Sequence, residues 1–197
     1  MWDDRYSEAF ASYGTEPNDF LREVANRIPP GPVLCLAEGE GRNAVFLAER
    51  VHDVTAVDLS EVGLSNARAL AAERGVEIRT VCADLADYDP GVSCWAGIVS
   101  IWAHVPPAVR EPLHAKCVRA LSPGGAFVLE AYSPRHLDRP GQGGPPSAAL
   151  LMTPEALRRE LAGLTFERCE EVDRDITEGR YHRGPSSTVQ LLAFRPG

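Results

Sequence analysis

The chain has 197 residues, 44% of them apolar, and 20 basic against 28 acidic residues give a net charge of −8. That size and apolar fraction suit one domain with a full core, and the acidic balance opposes nucleic-acid binding, which needs clustered lysine and arginine on phosphates. No apolar run approaches the ~18 residues of a membrane span, and the opening Met1-Trp-Asp-Asp-Arg5 lacks a signal-peptide pattern.

In chain order, a helical segment is expected through about Arg27, ending at Ile28-Pro-Pro-Gly31, where proline and glycine stop a helix. Strands are expected at Val33–Ala37, Val54–Leu59, Glu77–Ala83, Ala96–Trp102 and Ala126–Tyr132. Helices alternate with them at Arg42–Arg50, Ser60–Arg74 and Pro106–Leu121. Ser60 is a natural N-cap, Gly75 a stop, and Pro106-Pro107 fits a first helical turn. This alternation argues for a parallel sheet covered on both faces. Beyond it, Arg139-Pro-Gly-Gln-Gly-Gly-Pro-Pro-Ser147 reads as a loop, either a surface connection or a cover over a pocket. Thr153-Pro-Glu-Ala156 starts a helix running to about Gly163. Strands at Phe166–Asp175 and Thr188–Arg195, joined through Glu178–Ser187, finish the chain, with no internal repeat or second domain.

Chemistry concentrates first at Val33-Leu-Cys-Leu-Ala-Glu-Gly-Glu-Gly-Arg-Asn43, a strand breaking into a glycine turn that opens a helix. Gly39 and Gly41 let the backbone turn and let a ligand lie against it. Asp58, at the carboxyl end of the next strand, is placed to accept ribose hydroxyls. Gly39-x-Gly41-x-x-Ala44 also satisfies the dinucleotide pattern. Glu38 and Glu40, however, would repel a pyrophosphate, whereas they suit the sulfonium and ammonium of S-adenosylmethionine. The five cysteines, Cys35, Cys82, Cys94, Cys117 and Cys169, show neither paired nor C-x-x-C spacing. They read as structural thiols in a reducing cytoplasm, and no His/Asp/Glu spacing suggests a metal.

Leu36-Ala-Glu-Gly-Glu-Gly-Arg-Asn-Ala44, Thr55-Ala-Val-Asp-Leu-Ser60, Cys82-Ala-Asp-Leu85 and Ala120-Leu-Ser-Pro-Gly-Gly125 together resemble the motifs of class I S-adenosylmethionine-dependent methyltransferases. Trp2-Asp-Asp-Arg-Tyr6, Tyr13-Gly-Thr-Glu-Pro17, Ala103-His-Val-Pro-Pro107 and Glu178-Gly-Arg-Tyr-His-Arg-Gly184 are similar to the small tellurite-resistance type, related to thiopurine methyltransferases. The resemblance implies a Rossmann-like α/β fold whose seven-stranded, mostly parallel sheet ends in an antiparallel strand. It implies a single methyltransferase domain over 1–197: an N-terminal cap over the cofactor (1–30), a cofactor-binding core (31–132) and an acceptor side (133–197). S-adenosylmethionine would be the donor and S-adenosylhomocysteine the product, in a monomer or homodimer. Donor contacts fall on Tyr13, Glu38, Gly39, Gly41, Asn43, Asp58, Leu59, Ser60, Asp84, Leu85, Ser100 and Trp102. The chain departs from the family at Cys35, where an acid is usual, and at Glu38, where a small residue is usual; Glu38 is the candidate substitute for the missing acid.

Methyl transfer is an in-line displacement that rests on positioning and desolvation, so a base is needed only for a protonated acceptor. His104, at the crevice end of the fourth strand, is a base candidate or a histidine that shapes its turn through backbone bonds. Trp102 beside it packs the adenine, the pocket wall or the core. The resemblance makes His182 a base and Arg183 the holder of an anionic acceptor; the alternative is a solvated hairpin tip. His52, His114 and His136 read as surface residues. Trp2, Tyr6 and Tyr13 form either a satellite core or a cover over the donor. The favoured function is methyl transfer to a small soft or anionic acceptor, a thiol, chalcogen oxyanion or small metabolite. Its alternatives are a non-catalytic S-adenosylmethionine-binding protein and an NAD-dependent oxidoreductase.

Overall fold

A computed structural model describes residues 2–8 and 12–197. Among these, strands β1 (Pro32–Leu36), β2 (Asp53–Asp58), β3 (Arg79–Cys82), β4 (Trp95–Ile101), β5 (Leu121–Tyr132), β6 (Thr165–Glu178) and β7 (His182–Phe194) form one sheet in the order β3-β2-β1-β4-β5-β7-β6. Only β7 runs against the rest, being antiparallel to both β5 and β6. The strand order reverses between β1 and β4, so their carboxyl ends open the crevice where an α/β sheet takes its ligand. The apolar runs of β1, β4 and β5 are buried on both faces, as expected for central strands under two helical layers.

The helices are α1 (Trp2–Glu8), α2 (Asp19–Val24), α3 (Arg42–Glu49), α4 (Glu61–Glu73), α5 (Pro107–Ala120) and α6 (Pro154–Glu160). The expected N-cap residues act as such: Ser60 Oγ accepts from Gly63 N, and Thr153 Oγ1 accepts from Ala156 N. Pro107 opens α5 in the first turn, and α4 gives way to Gly75 at φ +68°.

Three expectations are corrected. The N-terminal segment is not one helix: the chain is non-helical from Gly14 to Asn18, and Asn18 starts α2 afresh as its N-cap, while residues 9–11 of the expected helix lie outside the described residues. The terminal hairpin is much longer than its apolar runs indicate. The β6–β7 ladder continues to Glu178↔His182, so the polar stretch read as a connection is mostly strand. Gly179, at φ +65°, supplies the tight turn, and the polar residues there are held by one another instead of by an apolar core. His114 and His136 are buried, not surface residues: His114 bonds the Glu160 carboxylate at 2.7 Å, which Arg110 also engages, and His136 packs on Tyr132.

Strand boundaries move by a residue or two at β1 and β4, whose expected last residues, Ala37 and Trp102, lie at φ +50° and +58°. Such angles end an extended run. β3 is shorter than expected and β5 begins earlier, at Leu121, with a register shift opposite Trp95/Gly97. Cys35, Cys117 and Cys169 are buried and Cys82 and Cys94 exposed, all as free thiols. Among the described residues no helix is long and apolar enough to cross a membrane.

Candidate active site

The glycine loop follows directly from the end of β1. Ala37, Gly39 and Gly41 all have positive φ, at +50°, +60° and +85°. The turn they make directs the loop back toward β2, where Asp58 Oδ2 accepts from Gly39 N at 2.8 Å and Oδ1 accepts from Ser60 N at 2.8 Å. Burial pushes the Asp58 carboxyl up, partly offset by those two bonds. Asp58 therefore fixes the loop while keeping further lone pairs for a ligand hydroxyl.

Glu38 takes a different role from its neighbours. Its Oε1 accepts from Asn43 N and Ala44 N at 2.9 and 2.8 Å, capping the first turn of α3. Burial pushes the Cys35 thiol well up, and the nearby Glu38 carboxylate adds to that. Desolvation pushes the Glu38 carboxyl itself up to about 7, against those backbone bonds and the nearby Arg42. Glu38, the candidate substitute for the acid missing at position 35, thus spends one carboxylate oxygen on the first turn of α3. The Asn43 side chain turns elsewhere, and its Oδ1 accepts from Asn18 N at 2.9 Å.

α1 lies over this loop. A Cβ on Gly39 would fall 2.5 Å from the Tyr6 hydroxyl, and one on Gly63 would fall 3.0 Å from the Tyr6 ring, so the phenol fills the space that the two glycines leave open. Asp3 accepts from Ser60 Oγ, and Trp2, Tyr6 and Tyr13 follow one another at ring separations of 6.1 and 6.2 Å. Asp3, Glu38, Glu40 and Asp58 make this part of the crevice acidic. On its open side Leu59 is 57% exposed and Asp84 is exposed, whereas Leu85 joins the main core. Ser100 is buried within β4 between β1 and β5.

Across the crevice stands a cluster of flat rings. Trp102 stacks on Tyr132 at 4.6 Å and on His182 at 5.0 Å, and His136 lies 4.1 Å from Tyr132. His104 accepts from Tyr132 N through Nε2 at 2.9 Å, which leaves Nδ1 as the donor to Trp102 O at 3.1 Å. Both nitrogens are therefore spent on backbone, and burial pushes its pKa down to about 4. That bonding holds Trp102 in its left-handed backbone conformation and keeps His104 neutral. His182 Nδ1 is 2.8 Å from the Tyr132 hydroxyl. Arg183, exposed, donates from Nε to Gly179 O at 2.7 Å across its own turn.

Beneath the rings lies a charged network of which the motifs contain only Arg42 and Glu178. Glu178 accepts from Arg42, Arg174, Asn18 and the Trp102 indole at 2.6, 2.7, 2.9 and 2.8 Å. Arg42 and Arg174 help hold the Glu178 carboxyl down to about 2 despite its burial. Glu130, fully buried, accepts from Arg174 twice and from Asn18, Thr188 and Gln190. Two carboxylates thus face two guanidiniums, and Asn18 ties the pair to α3. The signals in the sequence are slight: Glu130 is a lone charge in the apolar run Phe127-Val-Leu-Glu-Ala-Tyr132, and Asn18 precedes an acidic helix start.

The loop 139–147 closes over the rings. Gln142 and Arg183 exchange backbone bonds in an isolated antiparallel bridge, and His136 Nε2 is 3.1 Å from Gly143 O. A Cβ on Gly143 would fall 2.7 Å from His182 Nδ1, and one on Gly144 would fall 2.7 Å from the Tyr132 ring, so glycine lets this strap lie flat.

Residues 33–125 match the methyltransferase domain family. The 2-heptyl-1-hydroxyquinolin-4(1H)-one methyltransferase of Mycobacteroides abscessus is 27% identical over 136 residues, covering 66% of this chain; the match spans 60% of that relative's length. TehB from Haemophilus influenzae has a similar structure, with a TM-score of 0.75 at 18% identity over 99% of this chain and 67% of that one. A protein solved in work on the conversion of a disulfide bond into a thioacetal group during echinomycin biosynthesis gives 0.73 at 22% identity, over 95% and 84%. The N-methyltransferase NodS from Bradyrhizobium japonicum gives 0.66 at 14%, over 98% and 96%. At these identities the structural likeness speaks for the fold.

Proposed function

We propose that this chain, whose residues 33–125 match the methyltransferase domain family, transfers a methyl group from S-adenosylmethionine to a small-molecule acceptor. The observation that carries the reading is the acidic glycine loop held by Asp58 at the carboxyl end of β2. Its glycines hold the positive φ of the turn and let Tyr6 and Ala67 pack close against it, and the surrounding carboxylates match a cationic donor. Asp58 would hold the ribose, Gly39 and Gly41 the methionine portion, and Leu59 and Asp84 the adenine. Tyr6 and Tyr13 would close over them from the N-terminal side. When bound, the donor supplies an electrophilic methyl group. An NAD-type ligand is opposed by Glu38, which already occupies α3 amides that a pyrophosphate needs.

On the acceptor side the residues of this chain orient, desolvate and deprotonate. Trp102, Tyr132 and His182 present ring faces to a small substrate. Arg42 and Arg174 are each matched by buried carboxylates, and Arg183 spends Nε on its own turn. This balance supports a soft, neutral nucleophile such as a thiol over a chalcogen oxyanion, with His182 taking up its proton. His104, bonded to backbone through both nitrogens, supports Trp102 instead of acting as a base.

Calorimetric titration with S-adenosylhomocysteine, with NAD as comparison, tests the donor. Binding of the former alone is expected, and preference for NAD overturns the reading. An acceptor panel of thiols, chalcogen oxyanions and N-hydroxy heteroaromatics then tests the acceptor class. Saturable donor binding with no turnover across the panel would favour a non-catalytic binding protein.

A further inference from the structure

Two hydrogen bonds join the halves of the crevice through a single oxygen. Glu178 Oε2 accepts from Arg42 Nη2 at 2.6 Å and from the Trp102 indole Nε1 at 2.8 Å. Arg42 is the first residue of α3 and directly follows Gly41, its N-cap. Trp102 carries the ring that meets Tyr132 and His182. A second link runs beside the first. Asn43 Oδ1 accepts from Asn18 N at 2.9 Å, and Asn18 Nδ2 donates to Glu178 Oε1 at 2.9 Å. The first turn of α3 thus holds Glu178 at both carboxylate oxygens, once directly and once through Asn18. The side chains of Arg42 and Glu178 are 6% and 3% exposed, so their bond is charge-assisted and shielded from water, which makes it short and stiff. Stacking on Tyr132 and His182 sets the plane of the Trp102 ring. The single indole N–H, spent on Glu178, sets how the ring is turned within that plane.

We propose that Glu178 is a positioning residue that couples donor to acceptor: it ties the Trp102 ring to the first turn of α3, so that a donor settling on Gly39–Gly41 sets the ring face offered to the acceptor. A ligand on that loop bears on backbone continuous with Arg42, and contiguous hydrogen-bond and ion-pair networks can carry coupling between sites. The backbone of Trp102 is held separately, its N–H by Glu130 O and its carbonyl by His104 N and Nδ1, so the donor's effect is confined to the ring. Arg174, whose guanidinium lies 6.0 Å from the centre of the Trp102 ring and 2.7 Å from Glu178 Oε1, moves with the carboxylate. The acceptor face reaches its working position only once the donor is in place. By linkage, an acceptor on that face tightens the donor by the same factor. The consequence for turnover rests on the methyl-transfer reading; the tie between Glu178 and Trp102 does not.

Indole proton–nitrogen NMR on protein labelled at tryptophan nitrogen reads the tie directly. Trp2, Trp95 and Trp102 give three signals, and Trp102→Phe identifies the last. Without ligand, Glu178→Gln is expected to move the Trp102 signal upfield, because a charged acceptor is lost. Saturating S-adenosylhomocysteine is expected to shift the Trp102 signal in wild type and to leave it in place in Glu178→Gln, with saturation of both checked by calorimetry. Arg42→Met leaves Glu178 paired with Arg174; it serves where Glu178→Gln fails to fold, and should weaken the response. With an accepted thiol, Glu178→Gln should raise KM about 3–30-fold, and Trp102→Phe should add nothing to that in the double variant. A Trp102 signal that ignores bound S-adenosylhomocysteine in wild type overturns the proposal. So does an undiminished response in either folded variant, since the donor would then touch the ring itself. The tie falls if the ligand-free signal is the same in Glu178→Gln. Absence of S-adenosylhomocysteine binding in wild type is a separate result: it overturns the functional reading, and the donor coupling with it.

Discussion

On the glycine-loop side of the crevice, Gly39 and Asp58 are 19 residues apart and Glu38 bonds amides five and six residues on. On the hairpin side, Tyr132 and His182 are 50 residues apart, Arg42 and Glu178 are 136 apart, and Asn18 and Glu178 are 160 apart. The first side is one βαβ unit whose backbone makes the site almost unaided. The second is assembled from segments distant in the chain and depends on buried charges being matched. A local site needs turn chemistry to be right, whereas an assembled one needs the whole sheet in register before any of its polar groups is satisfied. The hairpin side should therefore be the more fragile of the two, and the loop side the more sensitive in ligand affinity.

The strongest way to break this comparison is at Glu130. Replacing it with Ala leaves Arg174 short of a carboxylate and strands Thr188, Gln190 and Asn18 among buried groups. Removing one partner of a buried ion pair costs roughly 3–5 kcal/mol, which denaturant unfolding would show as a large drop in midpoint. A loss below about 1 kcal/mol, the size of an ordinary substitution, would mean that the network is not a support.

On the loop side the corresponding test is Glu38→Gln, and its signature is pH. Burial raises the folded carboxyl from 4.5 to about 7. The folded chain thus binds this proton more tightly than the unfolded one. The group's contribution is whole below about pH 4.5, declines as pH rises, and is gone above about 7. A glutamine keeps an oxygen for Asn43 N and Ala44 N without that dependence. The variant should gain on wild type between pH 5 and 8, by up to about 3 kcal/mol. Parallel stability–pH curves for the two proteins would place the Glu38 carboxyl in water.

The same contrast explains what is legible in the sequence. The parallel sheet, the glycine turn, Asp58 and the caps at Ser60 and Thr153 all follow from spacings within one or two elements. The chemistry on the hairpin side shows in part, through His182 and Arg183, but its setting does not. Polar residues from Glu178 to Ser187 read as a connection because strand signals are apolar, whereas here the ladder is sustained by Asp173–Ser187 and the Glu178 network. Glu130, Arg174 and Asn18 carry no local signature, since their meaning lies in one another. His104 illustrates the converse. Its position next to strand four is clear, yet whether it is a base or a brace depends on the amide of Tyr132, 28 residues away.

Ligand affinity sharpens the comparison next. Asp58→Ala removes a charged acceptor from the site of the ribose hydroxyls and frees Gly39 N and Ser60 N. A hydrogen bond to a charged group contributes roughly 1.5–3 kcal/mol, so the S-adenosylhomocysteine Kd should rise about 10–100-fold. An unchanged Kd in calorimetry would mean that Asp58 serves the loop alone.

The smallest effect is expected at Arg183, and it separates support from chemistry within the hairpin. Its side chain is exposed and its one described side-chain bond goes to Gly179 O, four residues back. Arg183→Ala should therefore change stability by no more than about 0.5 kcal/mol and leave donor Kd untouched. The backbone pairing of residue 183 with Gln142 survives, because a side-chain truncation spares both amides. Any loss of turnover would then report on the acceptor alone. A fall confined to anionic acceptors would identify Arg183 as their counter-charge, reached by turning the guanidinium away from Gly179. Equal rates with thiols and oxyanions in both proteins would leave the arginine as a clasp on its turn and the aromatic face as the whole of the acceptor's recognition.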